Sequence, residues 1–367
     1  MAESVLDLLT ALAGVSEEDI LAAEHAPAQD TEHIKMAEPP SHWVNPVEPD
    51  FVLGYDVDLD AMWDAYKRGE NILIVGPTGS GKSSLAYHML DKANESTRKR
   101  NRETYDKNLN LLKKGANESK LIGYKPVPYE VSYLGCGAGT RTESLIGTLK
   151  FRATDKGREP YTVYGAVANA YLNGMTCIID EIDFAPPDIW GEAHVFLDGR
   201  TQETTIYVNG PETIRRNSRY RVIATANTFG MGENQLEFAG TQLLNTAFTN
   251  RFTYKVLLSY LQPDKETATL TTKVPGMRQD AAAKMVEAAG RIREAKKSGV
   301  LSRDISTRDL LSWSRECVDM EKRVRARSTN VDLLADYWAQ VVVPSALPTY
   351  LTGHPNGDVI GTYLELR

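Results

Sequence analysis

Cysteine is scarce in this chain of 367 residues: it has three, Cys136, Cys177 and Cys317, and no two of them have metal-ligand spacing. The scarcity excludes a disulfide framework and a zinc site, and it is typical of a reducing compartment. No apolar run approaches the roughly 20 residues that a membrane-spanning helix needs. The formal net charge is −7, which argues against a globally basic nucleic-acid-binding protein.

The amino terminus also lacks the positive charge that opens a secretory signal, since residues 1–7 contain neither lysine nor arginine. We therefore expect a protein that makes no membrane contact and is cytoplasmic, or located in the host cytoplasm if it is viral. A chain of this length can bury a full core and is long enough for more than one domain.

Hydrophobic periodicity divides the chain into three parts. Residues 1–50 combine a short helical segment with a proline-rich linker. We expect the segment to dock on a neighbour or a partner rather than to fold as an independent domain. Residues 51–261 alternate apolar strands with helical stretches, which predicts an α/β fold with a parallel sheet. Residues 262–367 predict an all-α lid and a tail. The expected strands are 72–75, 129–133, 176–179, 221–226 and 253–257, with a hairpin over 202–215, and the expected lid helices are 281–297, 307–325 and 330–343.

The most specific motif follows the first expected strand. It reads Gly76, Pro77, Thr78, Gly79, Ser80, Gly81, Lys82 and Ser83, and Ser84 opens a helix-compatible stretch. In this phosphate loop, glycines let backbone N–H groups close around phosphate oxygens, Lys82 reaches the β- and γ-phosphates, and the Ser83 hydroxyl ligates Mg²⁺. The alternative is a glycine turn that binds nothing, but motif and context agree. We therefore predict that the chain binds a nucleoside triphosphate with Mg²⁺.

The expected strand at 176–179 ends in two adjacent carboxylates, Asp180 and Glu181. The carboxyl end of a parallel strand lies beside the phosphate loop. We expect Asp180 to hold the Mg²⁺ shell and Glu181 to polarise the water that attacks the γ-phosphate. A generic acidic turn is the alternative, which the preceding buried-strand pattern disfavours. Asp183 could support the metal ligands from behind or could cap a helix, and we favour the helix cap.

Three further polar residues fit roles around the γ-phosphate. Asn227 follows the strand at 221–226 and is predicted to bond the attacking water and to sense the phosphate, although an isolated Asn there is more often a turn residue. Arg251 fits an arginine finger offered to a neighbouring subunit, against the alternative of a surface arginine. Arg308 begins a lid helix and is expected to reach back to the nucleotide, against the alternative of a charge pair at the helix start.

Residues 92–125 form an insert that is locally rich in lysine and arginine. One interpretation is contact with a polyanion such as nucleic acid. The other is a solvated helical extension with intrahelical charge pairs. We favour the second, because Tyr105 is the only ring in the basic core of the insert that could stack on a base.

In this order the motifs resemble those of AAA+ ATPases, and the stretch from Thr225 to Glu266 is similar to the ATPase subunit of aerobic cobaltochelatase, the CobS family of the MoxR branch. The similar pieces are 224–232, 240–242, 250–252, 258–261 and 264–266. The resemblance covers about residues 51–318. It implies a P-loop core with a helical lid and a hexameric ring in which Arg251 acts across the interface. It also implies an insertion within 140–164 and a hairpin within 202–219 that face a central channel, and a protein partner that in many relatives carries a von Willebrand factor A domain.

The leading hypothesis is a ring-forming ATPase that couples ATP binding and hydrolysis to remodelling of a partner protein. Two alternatives remain: a nucleic-acid motor or clamp that uses the basic insert, and a nucleotide-gated scaffold that hydrolyses slowly. The amino-terminal tail, the insert and the end past Asn330 differ from the chelatase subunit, and such regions usually choose the client. Residues 51–55 are the expected adenine contacts.

Overall fold

The computed structural model describes residues 35–41, 44–45, 57–125, 130–154, 157–227, 244–301 and 304–327. Some expectations from the sequence fall outside these ranges. They are the amino-terminal helical segment, the adenine contacts at 51–55, the helix at 330–343 and the tail.

Five short strands form a parallel sheet at the centre of the molecule. They are β1 Ile72–Val75, β2 Val131–Gly135, β5 Thr176–Asp180, β8 Arg221–Ala226 and β9 Tyr254–Leu257. Their order across the sheet is β2-β5-β8-β1-β9, so β1 lies between β8 and β9. All residues of β1 are buried, because both faces of a parallel sheet are covered. The parallel sheet confirms the α/β fold.

The register of the sheet brings three strand ends to one edge. Val75 of β1 lies opposite Ala226 of β8, and Ile179 of β5 lies opposite Ala224 of β8. The residues that follow these strands therefore meet at the same edge. Strands β1 and β8 have the predicted bounds, whereas β2 ends at Gly135 rather than Tyr133, because it pairs with β5 as far as Asp180.

Helices cover both faces of the sheet and build two cores. The helices are α1 Leu59–Arg68, α2 Lys82–Lys113, α4 Ala166–Asn173 and α5 Ile189–Leu197. On one face, buried Tyr171, Trp190 and Phe196 of α4 and α5 pack against the strands. On the other face, Met62 of α1 and Leu85 of α2 do the same.

Two antiparallel hairpins project from the sheet where the sequence predicts an insertion and a hairpin. After the single turn α3 Thr142–Leu145, β3 Gly147–Thr154 pairs with β4 Gly157–Tyr164. Farther along, β6 Glu203–Ile206 pairs with β7 Glu212–Arg215. Both hairpins carry exposed rings, since Phe151 is 61% and Tyr207 is 78% exposed.

The basic insert continues the phosphate-loop helix, because α2 runs without a break for 32 residues. Glu95 pairs with Arg102 at 2.7 Å and approaches Arg98 to 3.8 Å, which are the intrahelical charge pairs that the favoured interpretation requires. The amide of Asn101 exchanges two hydrogen bonds with the backbone of Lys125, and the amide of Asn108 does the same with Ile122. The returning chain is therefore held against α2.

Three helices after the sheet form the lid with a core of its own. They are α7 Pro263–Lys273, α8 Gln279–Lys297 and α9 Thr307–Arg327. Leu270, Met285 and Trp313, one from each helix, are buried in that core. A helical lid is therefore confirmed. Among the residues that the structure describes, no helix combines the length and the apolar character needed to cross a membrane.

Candidate functional site

The phosphate loop leaves the carboxyl end of β1 and enters α2 at Lys82. Gly79 and Gly81 have φ values of 72° and 92°, a left-handed conformation that only glycine adopts without strain. A Cβ atom on Gly79 would lie 2.5 Å from Ser306 Oγ of the lid, and one on Gly76 would collide with the carbonyl oxygen of Leu258. Glycine is thus required both for the turn and for the close approach of neighbouring segments.

The Lys82 ammonium group is buried within the loop that it follows. Its Nζ donates to the carbonyl oxygens of Gly76 at 2.8 Å and Pro77 at 3.0 Å, and to Asn227 Oδ1 at 2.8 Å. Burial lowers the pKa of Lys82 to about 8, although nearby carboxylates, Asp183 foremost, oppose the shift. Since none of these three acceptors is charged, a phosphate oxygen would supply the counter-charge that they lack.

Asp180 lies at the end of β5 and accepts hydrogen bonds from three hydroxyls. Ser83 Oγ lies 3.0 Å and 2.9 Å from its two carboxylate oxygens, Tyr133 OH donates at 2.9 Å, and Thr225 Oγ1 donates to Oδ1. A serine hydroxyl next to a carboxylate is a hard oxygen donor set of the kind that suits Mg²⁺. The two residues predicted to hold Mg²⁺ are therefore adjacent.

Glu181 has an unusual backbone conformation. Its φ is 58°, and it is the only non-glycine residue with positive φ in the described part of the chain. The backbone N–H of Glu181 donates a hydrogen bond to the Thr225 hydroxyl at 2.9 Å, which helps to hold that conformation. Burial, and then the charge of Asp180, raise the pKa of the Glu181 carboxyl. A strained, held carboxylate beside the loop fits the predicted role in activating water.

Asn227 lies next to Lys82 and the phosphate loop, and its Oδ1 atom is 3.5 Å from Thr78 Oγ1. Asp183 holds its backbone, because the Asn227 N–H donates to Asp183 Oδ2 at 2.8 Å. Asp183 is fully buried inside the short 3₁₀ turn Ile182–Phe184. The interpretation of Asp183 as a helix cap is therefore wrong: its side chain bonds the next strand end, a contact that only the sheet order creates.

A cavity of about 550 Å³ lies between the phosphate loop and the lid. Arg308, at the start of α9, lines it together with Gly79 and Ser83. The helix start is capped by Ser306, whose N–H and hydroxyl donate to Asp309 Oδ2 at 2.8 Å and 2.7 Å. The alternative for Arg308 was a charge pair at the helix start. In the structure, the neighbouring Asp309 instead accepts hydrogen bonds from Ser306.

Arg251 lies at the other end of the sheet from the phosphate loop. It follows α6 Thr246–Thr249 and precedes β9, and its carbonyl oxygen accepts a hydrogen bond at 2.9 Å from Asn71, which precedes β1. Its guanidinium donates to the carbonyl oxygen of Ala247 at 2.5 Å. The fold thus does not bring Arg251 to the site of its own chain, and the interface role stays a prediction.

Three site residues are absent from the sequence predictions. Tyr133 and Thr225 lie on strands that flank β5 and bond Asp180, and Tyr260 approaches the carbonyl oxygen of Thr78 to 3.3 Å. Tyr133 and Thr225 occupy one of the last two positions of a predicted strand, and Tyr260 lies three residues after another. Position at a strand end was therefore the signal that could have found them.

Comparison with protein families gives two matches to the chain. Residues 117–244 match the AAA domain of the dynein-related subfamily, and residues 266–327 match the CbbQ/NirQ/NorQ C-terminal domain. The first match begins after the phosphate loop, beyond the end of the long helix α2. The second covers most of the lid.

The chain is also similar to individual proteins. It is 31% identical over 154 residues to the aerobic cobaltochelatase subunit CobS of a Sinorhizobium species, a match that covers 41% of this chain and 46% of that protein. An uncharacterized protein of Staphylococcus epidermidis is 28% identical over 188 residues, 51% of this chain and 55% of its own length. The chain thus spans about half the length of these relatives.

Among solved structures, a RuvB mutant from Thermotoga maritima matches 79% of this chain and 67% of its own, with a TM-score of 0.45 and 12% identity. The two family matches are consistent with the parallel sheet and with the helical lid. The chain thus carries an AAA domain of the dynein-related, MoxR-like subfamily, followed by a CbbQ/NirQ/NorQ-type C-terminal domain.

Proposed function

We propose that this protein hydrolyses ATP with Mg²⁺ at interfaces between subunits of a ring and uses the cycle to remodel a protein partner. One observation carries the proposal. Lys82, Ser83, Asp180, Glu181 and Asn227 converge at the carboxyl ends of three neighbouring strands, beside a cavity that the lid also lines. This is the arrangement that phosphoryl transfer to water needs.

Each member of the cluster has one task in this proposal. Lys82 binds phosphate oxygens once it leaves the loop carbonyl oxygens that it now contacts. Ser83 and Asp180 would hold Mg²⁺, which when bound neutralises charge on the β- and γ-phosphates. Tyr133 and Thr225 orient the Asp180 carboxylate by donating to it.

The remaining residues act on the attacking water and the charge that develops. Glu181 orients the water and accepts its proton. Its backbone, fixed at a φ of 58°, sets the direction in which the carboxylate points. Asn227, fixed through Asp183, donates from its amide nitrogen toward the γ-phosphate. Arg308 approaches from the lid, and Arg251 of a neighbouring subunit completes the site.

A protein client is supported by the two hairpins. Phe151 on β3 and Tyr207, which directly follows β6, are both largely exposed. A cavity of about 950 Å³ is lined by the start of β3, by β6 with Tyr207, and by α5. Exposed rings beside a groove are typical of surfaces that contact another protein. A partner with a von Willebrand factor A domain is the client class that the cobaltochelatase resemblance suggests.

The proposed activity is tested with Lys82→Ala and with chelation of the metal. Removing the ammonium group takes away a charge-assisted bond to phosphate, so we expect ATP affinity to fall by about tenfold or more. Excess EDTA is expected to abolish hydrolysis by the unaltered protein, and added Mg²⁺ to restore it. Phosphate release and binding of a fluorescent ATP analogue are the measurements. Lys284→Ala on α8 is the control. Hydrolysis that persists in Lys82→Ala or in EDTA would contradict the proposal.

Nucleic acid is not expected to regulate the activity. Glu95 already pairs with basic residues of the insert, and the returning chain covers one side of α2. We therefore expect single- or double-stranded DNA to change ATP turnover by less than about twofold at physiological salt. A larger stimulation that disappears when the exposed Lys99, Arg100 and Lys107 are changed to alanine would instead favour a nucleic-acid motor.

A further inference from the structure

A buried ion pair joins the first two helices of the lid. The Glu266 side chain on α7 is 0% exposed, and its two carboxylate oxygens accept from the two terminal nitrogens of Arg293 on α8, each at 2.8 Å. Such a pair contributes little net stability, because desolvation offsets the attraction. Its planar, bidentate geometry does fix the positions of both partners.

The same two side chains hold the start of α9. Thr307 Oγ1 donates to Glu266 Oε1 at 2.6 Å, and Arg293 Nε donates to the carbonyl oxygen of Ile305 at 2.9 Å. These contacts fix the chain on either side of Ser306, whose Oγ approaches Gly79 of the phosphate loop. Arg308 directly follows Thr307 in the chain. Its backbone therefore has little freedom relative to the loop.

A third contact connects the pair with the phosphate loop itself. The Arg293 guanidinium lies 3.9 Å from the centroid of the Tyr260 ring, a cation–π contact. The Tyr260 hydroxyl donates to Asp304 Oδ2 at 2.9 Å and lies 3.3 Å from the carbonyl oxygen of Thr78. One continuous set of polar contacts thus runs from the loop through Tyr260, Arg293 and Glu266 to Thr307.

We propose that Glu266 and Arg293 are positioning residues that act through Thr307 to hold Arg308 over the phosphate loop, with Tyr260 as the tie to the loop. The inference rests on the proposed ATPase function and deepens it. Arg308 needs a fixed approach to phosphate because a small displacement of a charge-stabilising group removes most of its effect. Among the described residues of the lid, Glu266 is the only buried carboxylate.

The test is Thr307→Val, which keeps the shape of the side chain and removes its bond to Glu266. Glu266 remains paired with Arg293, so the lid is expected to fold. If the bond positions Arg308, kcat should fall about tenfold, with a smaller change in KM. In an Arg308→Ala background the same substitution should have no further effect, because the residue being positioned is gone.

A second variant examines the pair directly. Arg293→Lys keeps the charge but loses the bidentate geometry and the flat contact with Tyr260, so it should also lower kcat and should also have no effect in the Arg308→Ala background. Arg291→Lys is the matched control: it lies on the same helix in an exposed pair with Glu287 and should behave as the unaltered protein.

Two results would overturn this inference: wild-type kcat in Thr307→Val and Arg293→Lys, or losses that multiply with the loss caused by Arg308→Ala. Absence of hydrolysis in the unaltered protein would count against the proposed function instead. In that case the same double-variant cycle is run on the affinity for a fluorescent ATP analogue, and independent losses there would equally reject the positioning role.

Discussion

Glu181→Gln is expected to bind ATP normally and to lower its turnover by about a hundredfold or more, the range that a general base supplies. Glutamine has the same size and can keep the φ of 58° and the backbone bond to Thr225. It cannot accept the proton of the attacking water. We expect binding to be preserved because Lys82 and Ser83, the proposed phosphate and Mg²⁺ contacts, are untouched.

The measurements are phosphate release and affinity for a fluorescent ATP analogue. We also expect the variant to remain in its ATP-bound oligomer, which light scattering after gel filtration reports. Glu287→Gln, an exposed glutamate on α8, is the control and should hydrolyse normally. Wild-type turnover in Glu181→Gln would remove Glu181 from the role of base, and turnover near background in the unaltered protein would favour a nucleotide-gated scaffold.

Arg251→Ala should abolish most turnover while each subunit still binds ATP. We expect a loss of about a thousandfold, the lower end of what an arginine finger provides. The physical reason is position: Arg251 precedes β9 and contacts Asn71 before β1, whereas the phosphate loop follows β1. An arginine at that end of the sheet lies away from the site of its own chain, so we expect it to act on the site of a neighbouring subunit.

A mixing experiment separates action across subunits from damage within one. Subunits of Arg251→Ala keep Glu181, and subunits of Glu181→Gln keep Arg251, so a mixed ring contains some complete sites. We expect turnover to recover in mixtures, with a maximum at intermediate ratios. Arg200→Ala, an exposed turn residue, is the control for loss of a surface charge. No recovery at any ratio would show that Arg251 does not act in a neighbouring site.

Local sequence patterns predicted β1, β5 and β8 well, because each is a mainly apolar run that ends at a polar residue or a glycine. β1 and β8 have the predicted bounds, and β9 begins at Tyr254, one residue later than expected. The length of α2 was not predicted as one helix, although a helical extension was the favoured interpretation of the insert. Charge counts alone do not distinguish a helix that continues from one that stops.

The candidate site likewise has a part that the sequence predicted and a part that only the structure shows. Residues of the phosphate loop, Asp180, Glu181 and Asn227 follow strands in the sequence, so their convergence was predictable from a parallel sheet. The structure adds that Ser83 contacts Asp180 although 97 positions separate them. Asp183 was misread because its partner, the backbone of Asn227, lies 44 residues away.

The sequence by itself determined that this protein has a phosphate loop, a strand that ends in two carboxylates and a helical lid. Each of these features is formed by residues that are contiguous in the chain. Tertiary structure alone decided which side chains orient Asp180, what Asp183 holds, and how Glu266 and Arg293 grip the start of α9. The physical reason is that these contacts depend on sheet order and helix packing, which bring together groups that are distant along the chain.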